Sequence, residues 1–272
     1  MDAAHLDHQM QALAENKKRW ATLPVAEKIG YLDSIRARTV EHARAWVEDA
    51  VKAKQLMMDH HLAGEEWTSG PFSVLSVTSD LRRTLVRLAD GTPVLDGHAV
   101  RVTPAGQVAV DVYPTTLDDR LLFSGVTAEV RMREGVTLDN LEDSVAGFYR
   151  DPDPAGDVSV VLAAGNIASI AVLDVVYAMF NEGKVAILKM NPVNDYLGEY
   201  LEAIFAPQIA DGFVRFAYGG ADVGAHLCEH DHVDSVHITG SALTHDMIVF
   251  GSDETAADRK RGADPVLSKP IT

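Results

Sequence analysis

The sequence predicts an α/β fold built around an open parallel sheet, and two features of its second half indicate this. Between residues 157 and 250, short apolar segments alternate with stretches of helical periodicity. The apolar segments are bounded by Gly, Asp or Pro and lack polar alternation, which is typical of strands buried on both faces. Strands that alternate with helices form parallel sheets covered by those helices. The predicted strands are 158–162, 185–188, 213–217 and 233–238, and the predicted helices are 167–181, 196–206, 221–229 and 244–250.

Residues 1–97 are expected to form a helical region that packs on the sheet domain. Apolar residues recur at three- and four-residue steps from Ile29 to Val51, which predicts one long amphipathic helix. We expect Thr22 to cap its start with Pro24 in the first turn, and the helix to end at Asp59-His60-His61. Shorter helices are predicted at 6–13 and 72–88.

Residues 98–135 change character and predict a β-hairpin. Valines at 100 and 102, and at 108, 110 and 112, alternate with other residues on either side of Pro104-Ala105-Gly106. The glycine is expected in the turn. Further short strands are predicted at 121–123 and 126–130. The third region, 136–272, is expected to hold a short helix at 136–149, then the parallel sheet, then an exposed loop over 251–269.

The charge and cysteine content exclude several classes of partner and compartment. The chain carries 40 Asp plus Glu against 24 Lys plus Arg, a formal net charge of -16, which repels nucleic acids and anionic membranes. Cys228 is its one cysteine, so no internal disulfide is expected and a reducing compartment is favoured. No apolar run has the length that crosses a bilayer, and the N-terminus lacks the features of a secretion signal. A cytoplasmic protein is therefore expected.

Every predicted strand is followed by residues suited to a ligand, and ligands of open parallel sheets bind at the carboxyl ends of the strands. Lys189 would either reach solvent or meet a ribose or phosphate oxygen. Glycines near a helix start allow close approach of a nucleotide, and the helix N-terminus favours phosphate. The Gly-x-Gly-x-x-Gly fingerprint of many dinucleotide-binding loops is absent after the first strand. The four segments are Ala164-Gly165-Asn166, Lys189-Met190-Asn191-Pro192, Gly220 to Gly224, and Thr239-Gly240-Ser241.

Taken in this order and at these intervals, the segments resemble the NAD(P)-binding part of the aldehyde dehydrogenase superfamily over residues 158–251. The resemblance implies a Rossmann-like domain that binds NAD or NADP, and an oligomerisation hairpin at 98–133. It implies that Asn166 stabilises the oxyanion and that Lys189 contacts the adenosine ribose. The remaining implied nucleotide-binding residues are Gly220, Gly224, Gly240 and Ser241. Pro192 stands where many NAD-preferring members carry glutamate, so the choice between NAD and NADP stays open. Thr244 replaces a common glycine.

The resemblance also sets an expectation for activity. In the superfamily a Lys-Pro-x-x stretch, here Lys269-Pro270-Ile271-Thr272, leads into a general-base glutamate, and a nucleophilic cysteine follows. The sequence ends before both positions. We therefore expect the coenzyme-binding half of an oxidoreductase that converts aldehydes to acids or acyl products, inactive as this isolated chain.

Two other interpretations stay open from the residues alone. A non-catalytic, truncated nucleotide-binding protein would associate with itself or with a partner through an uncovered apolar surface. Histidines 226 and 230 lie one helical turn apart beside Cys228 and His232, a spacing compatible with metal, although no metal site is expected. Cys228 is expected to be a structural thiol. His237 is expected to be a core residue without a partner.

Overall fold

A computed structural model describes residues 2–272 and confirms the predicted α/β fold class. The chain forms two compact units, one from residues 2–83 with 153–272 and the other from residues 84–152. The helices are α1 (Ala3–Ala21), α2 (Val25–Ala53), α3 (Ala63–Trp67), α4 (Ser73–Asp90), α5 (Leu117–Leu122), α6 (Ala168–Val176), α7 (Gly198–Ile204), α8 (Ala206–Ala210), α9 (Ala221–Glu229), α10 (Ala242–Phe250) and α11 (Ala256–Gly262). The strands are β1 (Val100–Val102), β2 (Val108–Tyr113), β3 (Ala128–Arg131), β4 (Val158–Leu162), β5 (Val185–Lys189), β6 (Val214–Ala217) and β7 (Ser235–Ile238).

The first unit contains a four-stranded parallel sheet in the order β6-β5-β4-β7. The strands end together, since Leu162 is in register with both Lys189 and Ile238. The side chains of β4 and β5 are almost entirely buried, which explains why these strands lack polar alternation. The strand order reverses at β4, so a crevice opens beside its carboxyl end.

An aromatic cluster joins the N-terminal helices to this sheet. Trp20 from α1 packs edge-on against Phe180, with ring centroids 5.3 Å apart, and its ring is tilted against Phe213, at 5.1 Å. Its indole Nε1 donates to the carbonyl of Met179 at 3.0 Å. Tyr31 from α2 completes the cluster at 5.7 Å from Trp20. Buried aromatic groups of this size contribute much of the apolar area of a core.

The long helix α2 is shorter than the sequence predicts, and both predicted ends are wrong. Thr22 caps the end of α1 instead, where its hydroxyl donates to the Lys18 carbonyl at 2.8 Å. Pro24, with φ of -53°, precedes the first residue of α2. The helix ends at Ala53 because Gln55 takes a left-handed conformation, with φ of 57°. The predicted apolar stripe is also too wide, since Val40 is 63% exposed.

The second unit contains a three-stranded antiparallel sheet in the order β1-β2-β3, so the predicted hairpin is confirmed. Gly106 adopts φ of 82° in its turn. The strand predicted at 121–123 is wrong, because Thr116 and Asp119 form a capping box that begins α5. The helix predicted at 136–149 is also wrong. It is replaced by two 3-10 turns, Glu142–Ser144 and Gly147–Arg150, and Leu141, just before the first of them, enters the small core of β2.

The tail is more ordered than the predicted exposed loop. Helix α11 forms within it, and Arg259 donates to the Phe250 carbonyl at 2.7 Å and to Asp253 at 2.8 Å. Beyond α11, Ile271 pairs in parallel with Val236 of β7. Among residues 2–272, every helix is too short or too polar to cross a bilayer.

Candidate functional site

A cavity of about 1090 Å³ lies at the carboxyl ends of the parallel strands and is lined entirely by residues of the first unit. It sits where the strand order reverses, which is the position expected for a ligand of an open parallel sheet. The structure brings all six predicted site residues to its wall, and the contact that each makes with a ligand stays a prediction. The six are Asn166, Lys189, Gly220, Gly224, Gly240 and Ser241.

The loop that follows β4 presents Asn166 to the cavity. A Cβ atom at Gly165 would lie 2.9 Å from Nδ2 of Asn191, so glycine allows this loop to lie directly on the loop after β5. Asn191 Nδ2 in turn donates to the Ala163 carbonyl at 3.4 Å. The side chain of Asn166 is exposed and has no hydrogen-bond partner among residues 2–272. Its amide is therefore available to a ligand.

Lys189 is the charged centre of the cavity. It ends β5, is only 8% exposed and forms neither a hydrogen bond nor an ion pair within the described part of the chain. Burial lowers the pKa of its ammonium, while the carboxylates of Asp195 and Asp222 act in the opposite direction. A nearly buried cation without a direct partner is costly in free energy. Acceptor oxygens of a ligand would satisfy it.

Two helices begin at the cavity, and their N-termini differ in charge. Helix α9 follows Gly220 and carries Asp222 in its first turn. Helix α10 follows Ser241, whose hydroxyl accepts from the Thr244 amide at 3.1 Å, and has no acidic residue in its first turn. A helix N-terminus favours an anion. The carboxylate already at α9 leaves the start of α10 as the better position for a phosphate group.

The loop before α10 is held by polar residues that the sequence analysis did not assign to the site. The hydroxyl of Thr239 donates to Asp174 Oδ2 at 2.9 Å, and His237 Nε2 lies 3.4 Å from the same oxygen. This carboxylate raises the pKa of His237. His237 also contacts Thr272 Oγ1 at 3.0 Å, so the prediction of a partnerless core histidine is wrong. Residues two positions apart in a strand lie on the same face. The spacing of His237 and Thr239 could therefore have indicated that they share a partner.

Cys228 lies in the cavity wall as a free thiol. It is buried, and desolvation raises the pKa of its thiol to about 11. The nearby ammonium of Lys269 donates to the backbone carbonyls of Cys228, at 2.8 Å, and His230, at 2.6 Å. The thiol thus stays protonated at neutral pH, and thiolate is the reactive form.

The histidines in and just beyond α9 contact residues of α1. His226 Nε2 lies 2.8 Å from Asp7 Oδ1, His230 Nε2 lies 3.5 Å from the same oxygen, and His232 bonds to Gln11. Burial, together with His232, lowers the pKa of His230. Within residues 2–272, no group of three or more His, Cys, Asp or Glu side chains has an arrangement that would hold a metal ion.

Comparison with known proteins identifies the fold. No protein-family model and no curated protein sequence matches the chain. The solved structure of an NAD-dependent benzaldehyde dehydrogenase from Corynebacterium glutamicum matches with a TM-score of 0.59 and 14% identity, over 99% of this chain and 45% of that one. A 3,6-anhydro-L-galactose dehydrogenase in complex with NAP matches with a TM-score of 0.56 and 13% identity, over 99% and 43%.

A third solved structure, a variant of proline utilization A from Bradyrhizobium japonicum, matches with a TM-score of 0.57 and 14% identity, over 100% of this chain and 22% of that one. The chain therefore spans less than half the length of each of these structures. The predicted likeness to aldehyde dehydrogenase-type structures is confirmed in fold.

Proposed function

We propose that the cavity binds a nicotinamide dinucleotide and that this chain is the coenzyme-binding part of an aldehyde dehydrogenase-like oxidoreductase. The observation that carries the proposal is the nearly buried and unpaired ammonium of Lys189 at the reversal point of the sheet. The fold supports it, since it is shared with a benzaldehyde dehydrogenase described as NAD-dependent and with a dehydrogenase described in complex with NAP.

The chemistry of the lining fits the coenzyme. Lys189 would donate to oxygens of the adenosine ribose, and the start of α10 at Ser241 would receive the pyrophosphate. Because Gly220 and Gly240 have no side chains, the dinucleotide could approach the main chain of the cavity wall closely at these positions. A volume of about 1090 Å³ lies at the upper end of the range for small-molecule sites, which suits a dinucleotide.

When bound, the coenzyme supplies the hydride acceptor of an aldehyde oxidation. The side-chain amide of Asn166 would donate to an oxygen that gains negative charge, a role that suits a preorganised and otherwise unbonded donor. The buried thiol of Cys228, with its raised pKa, is poorly suited to a covalent attack, because thiolate is the reactive form. We therefore propose coenzyme binding without aldehyde turnover for these 272 residues. Reduced coenzyme accumulating with benzaldehyde, measured by absorbance, would contradict this part.

Calorimetric titration of the purified chain with NAD and with NADP tests the binding proposal. The informative variant is Lys189→Met, which keeps the length of the side chain and removes its charge. Loss of a charged hydrogen bond costs about 1.5–3 kcal/mol, so we expect affinity to fall by about tenfold to a hundredfold.

The control is Lys184→Met, because Lys184 lies just before β5, at the opposite end of the strand that ends in Lys189. Its ammonium pairs with Glu182 at 2.9 Å and is far from the cavity wall. This variant should bind the coenzyme like the unaltered chain. Absence of binding by the unaltered chain, or equal losses in the two variants, would refute the proposed site.

A further inference from the structure

Two carboxylates, those of Asp195 and Asp222, act on the Lys189 ammonium in the cavity. Asp222 lies in the wall, in the first turn of α9, and Asp195 lies in the 3-10 helix Pro192–Leu197 that follows β5. Neither forms an ion pair with any cation among residues 2–272. Asp195 Oδ1 is fully buried and has no hydrogen-bond partner in that part of the chain.

The cations and carboxylates of the cavity wall lie at different places along it. The other lysine of the wall, Lys269, is bonded to backbone carbonyls at the end of α9. That end also carries Glu229, which adds a further negative charge to the wall. No arginine lines the cavity within the described part of the chain. A phosphate group placed beside Lys189 would therefore meet one ammonium and two carboxylates.

We propose that this site selects NAD over NADP and that Asp222, supported by Asp195, is the residue that makes the selection. The inference rests on the proposed function. The two coenzymes differ only in a phosphate on the adenosine ribose, which carries a charge of about -1.5 to -2 at neutral pH. Carboxylates repel that phosphate but accept hydrogen bonds from the hydroxyls of an unmodified ribose. Pro192 stands where many NAD-preferring members of the superfamily carry a glutamate. In this chain, a carboxylate from α9 would take over the role of that glutamate.

Asp222 does not lie at a strand end, and the conformation of its side chain explains how it would reach a ribose bound beside Lys189. A Cβ atom at Gly220 would lie 2.9 Å from Asp222 Oδ1, so the carboxylate folds back over the start of α9. Glycine at 220 is what permits this fold-back. Because Asp222 is exposed, its effect is expected to depend on ionic strength.

The test compares the affinities of NAD and NADP for the complete chain by calorimetry at low and high salt. We expect NAD to bind at least about tenfold more tightly at low salt, with the ratio shrinking at about 1 M salt, where charges are screened within a few ångströms. In Asp222→Asn, the ratio should fall several-fold, mainly through tighter NADP binding. Asp195→Asn should shift it in the same direction.

The control is Asp231→Asn, which makes the same change in net charge beyond the far end of α9 and outside the cavity wall. It should leave the ratio unchanged. If neither nucleotide binds, the proposed function itself fails. If both bind and NADP is bound equally or more tightly, or if the ratio is unmoved in both Asp222→Asn and Asp195→Asn, the selection by these carboxylates is overturned while the coenzyme site stands.

Discussion

At the scale of single residues, two nearly buried lysines differ in their surroundings and therefore in their expected roles. Lys189 faces the cavity and has no internal partner, whereas Lys28 lies over the ring of Trp20 at 5.1 Å and donates to the Ala21 carbonyl at 3.4 Å. Lys28 is 1% exposed, and desolvation lowers the pKa of its ammonium to about 8. Its environment is structural, so it should affect stability and not ligand binding.

A pH dependence of stability follows from Lys28. Its pKa is lower in the folded chain than the ordinary value of 10.5, so the unfolded chain binds more protons between about pH 8 and 10.5 and stability rises with pH. From pH 7 to 9.5 the gain attributable to Lys28 is about 2 kcal/mol. In Lys28→Met this gain should vanish, and the variant should be more stable than the unaltered chain at pH 7. Urea unfolding at pH 7 and at pH 9.5 measures the free energy of unfolding of both proteins.

The comparison for Lys28 is Lys52→Met, since Lys52 is an exposed lysine in the last turn of the same helix. This substitution should leave the pH dependence intact. A Lys28→Met variant that keeps the full rise in stability with pH would show that another group causes it.

Residues at strand ends were predictable from the sequence, and their partners were not. Lys189 and Ser241 stand next to apolar strands, so their place at the sheet edge follows from topology alone. Asp174 and Thr239, by contrast, are 65 positions apart in the chain, and Asp222 meets Lys189 only after β5 and α9 have packed. Pairings of this kind depend on tertiary structure, which no local pattern records.

At the scale of elements, Ser241 joins local structure to the proposed function. Its hydroxyl caps α10 by accepting from the Thr244 amide, and loss of such a cap costs about 1 kcal/mol. In Ser241→Ala we therefore expect a loss of about 1 kcal/mol in the free energy of unfolding, measured in urea. Weaker coenzyme binding should accompany it, because the start of α10 is the proposed phosphate position.

The control for Ser241→Ala is Ser252→Ala, the same substitution just beyond the other end of α10. Ser252 follows Gly251, the residue that ends α10 with φ of 85°, and its hydroxyl has no hydrogen bond within residues 2–272. Its removal should change the free energy of unfolding by less than about 0.5 kcal/mol. Equal effects of the two substitutions would mean that the Ser241 cap contributes nothing.

Elements stabilised by buried apolar faces could be predicted from the sequence, and elements stabilised by polar contacts could not. The strands of the parallel sheet and helices α6, α7, α9 and α10 are apolar on their buried faces and were predicted at nearly their observed positions, whereas α8 was not predicted. Helix α11 was missed because Arg259 stabilises it through bonds to Phe250 and Asp253 and no residue of α11 is buried. Helix α5 was missed for the same reason, since its capping box is polar and none of its side chains is buried.

At the scale of the whole molecule, each of the two compact units has a hydrophobic core of its own. The first surrounds the parallel sheet, and every residue of the cavity wall belongs to that unit. The second is small and centres on Val108, Val110 and Leu141. The predicted three-region division at 1–97, 98–135 and 136–272 stays a prediction about organisation. Because the ligand site draws on one core alone, binding and the stability of the other core can be altered separately.

Hydrogen exchange would show this separation. A ligand that binds only the folded state stabilises it by about 2.7 kcal/mol at a concentration of 100 times its dissociation constant. With NAD at that level, amides of β4 and β5 that exchange through unfolding of the first unit should exchange about a hundredfold more slowly. Amides of β1 to β3 should keep their rates. Mass spectrometry of peptides from each unit measures both groups in one experiment.

The reciprocal change is Val110→Ala. Val110 is buried in the small core of β2, and removal of its methyl groups should destabilise the second unit by about 2 kcal/mol. Exchange should then accelerate in β1 to β3, while NAD affinity and the rates in β4 and β5 stay as they were. Coenzyme protection that extends equally to β1 to β3, or a loss of NAD affinity in Val110→Ala, would mean that the two cores unfold as one cooperative unit.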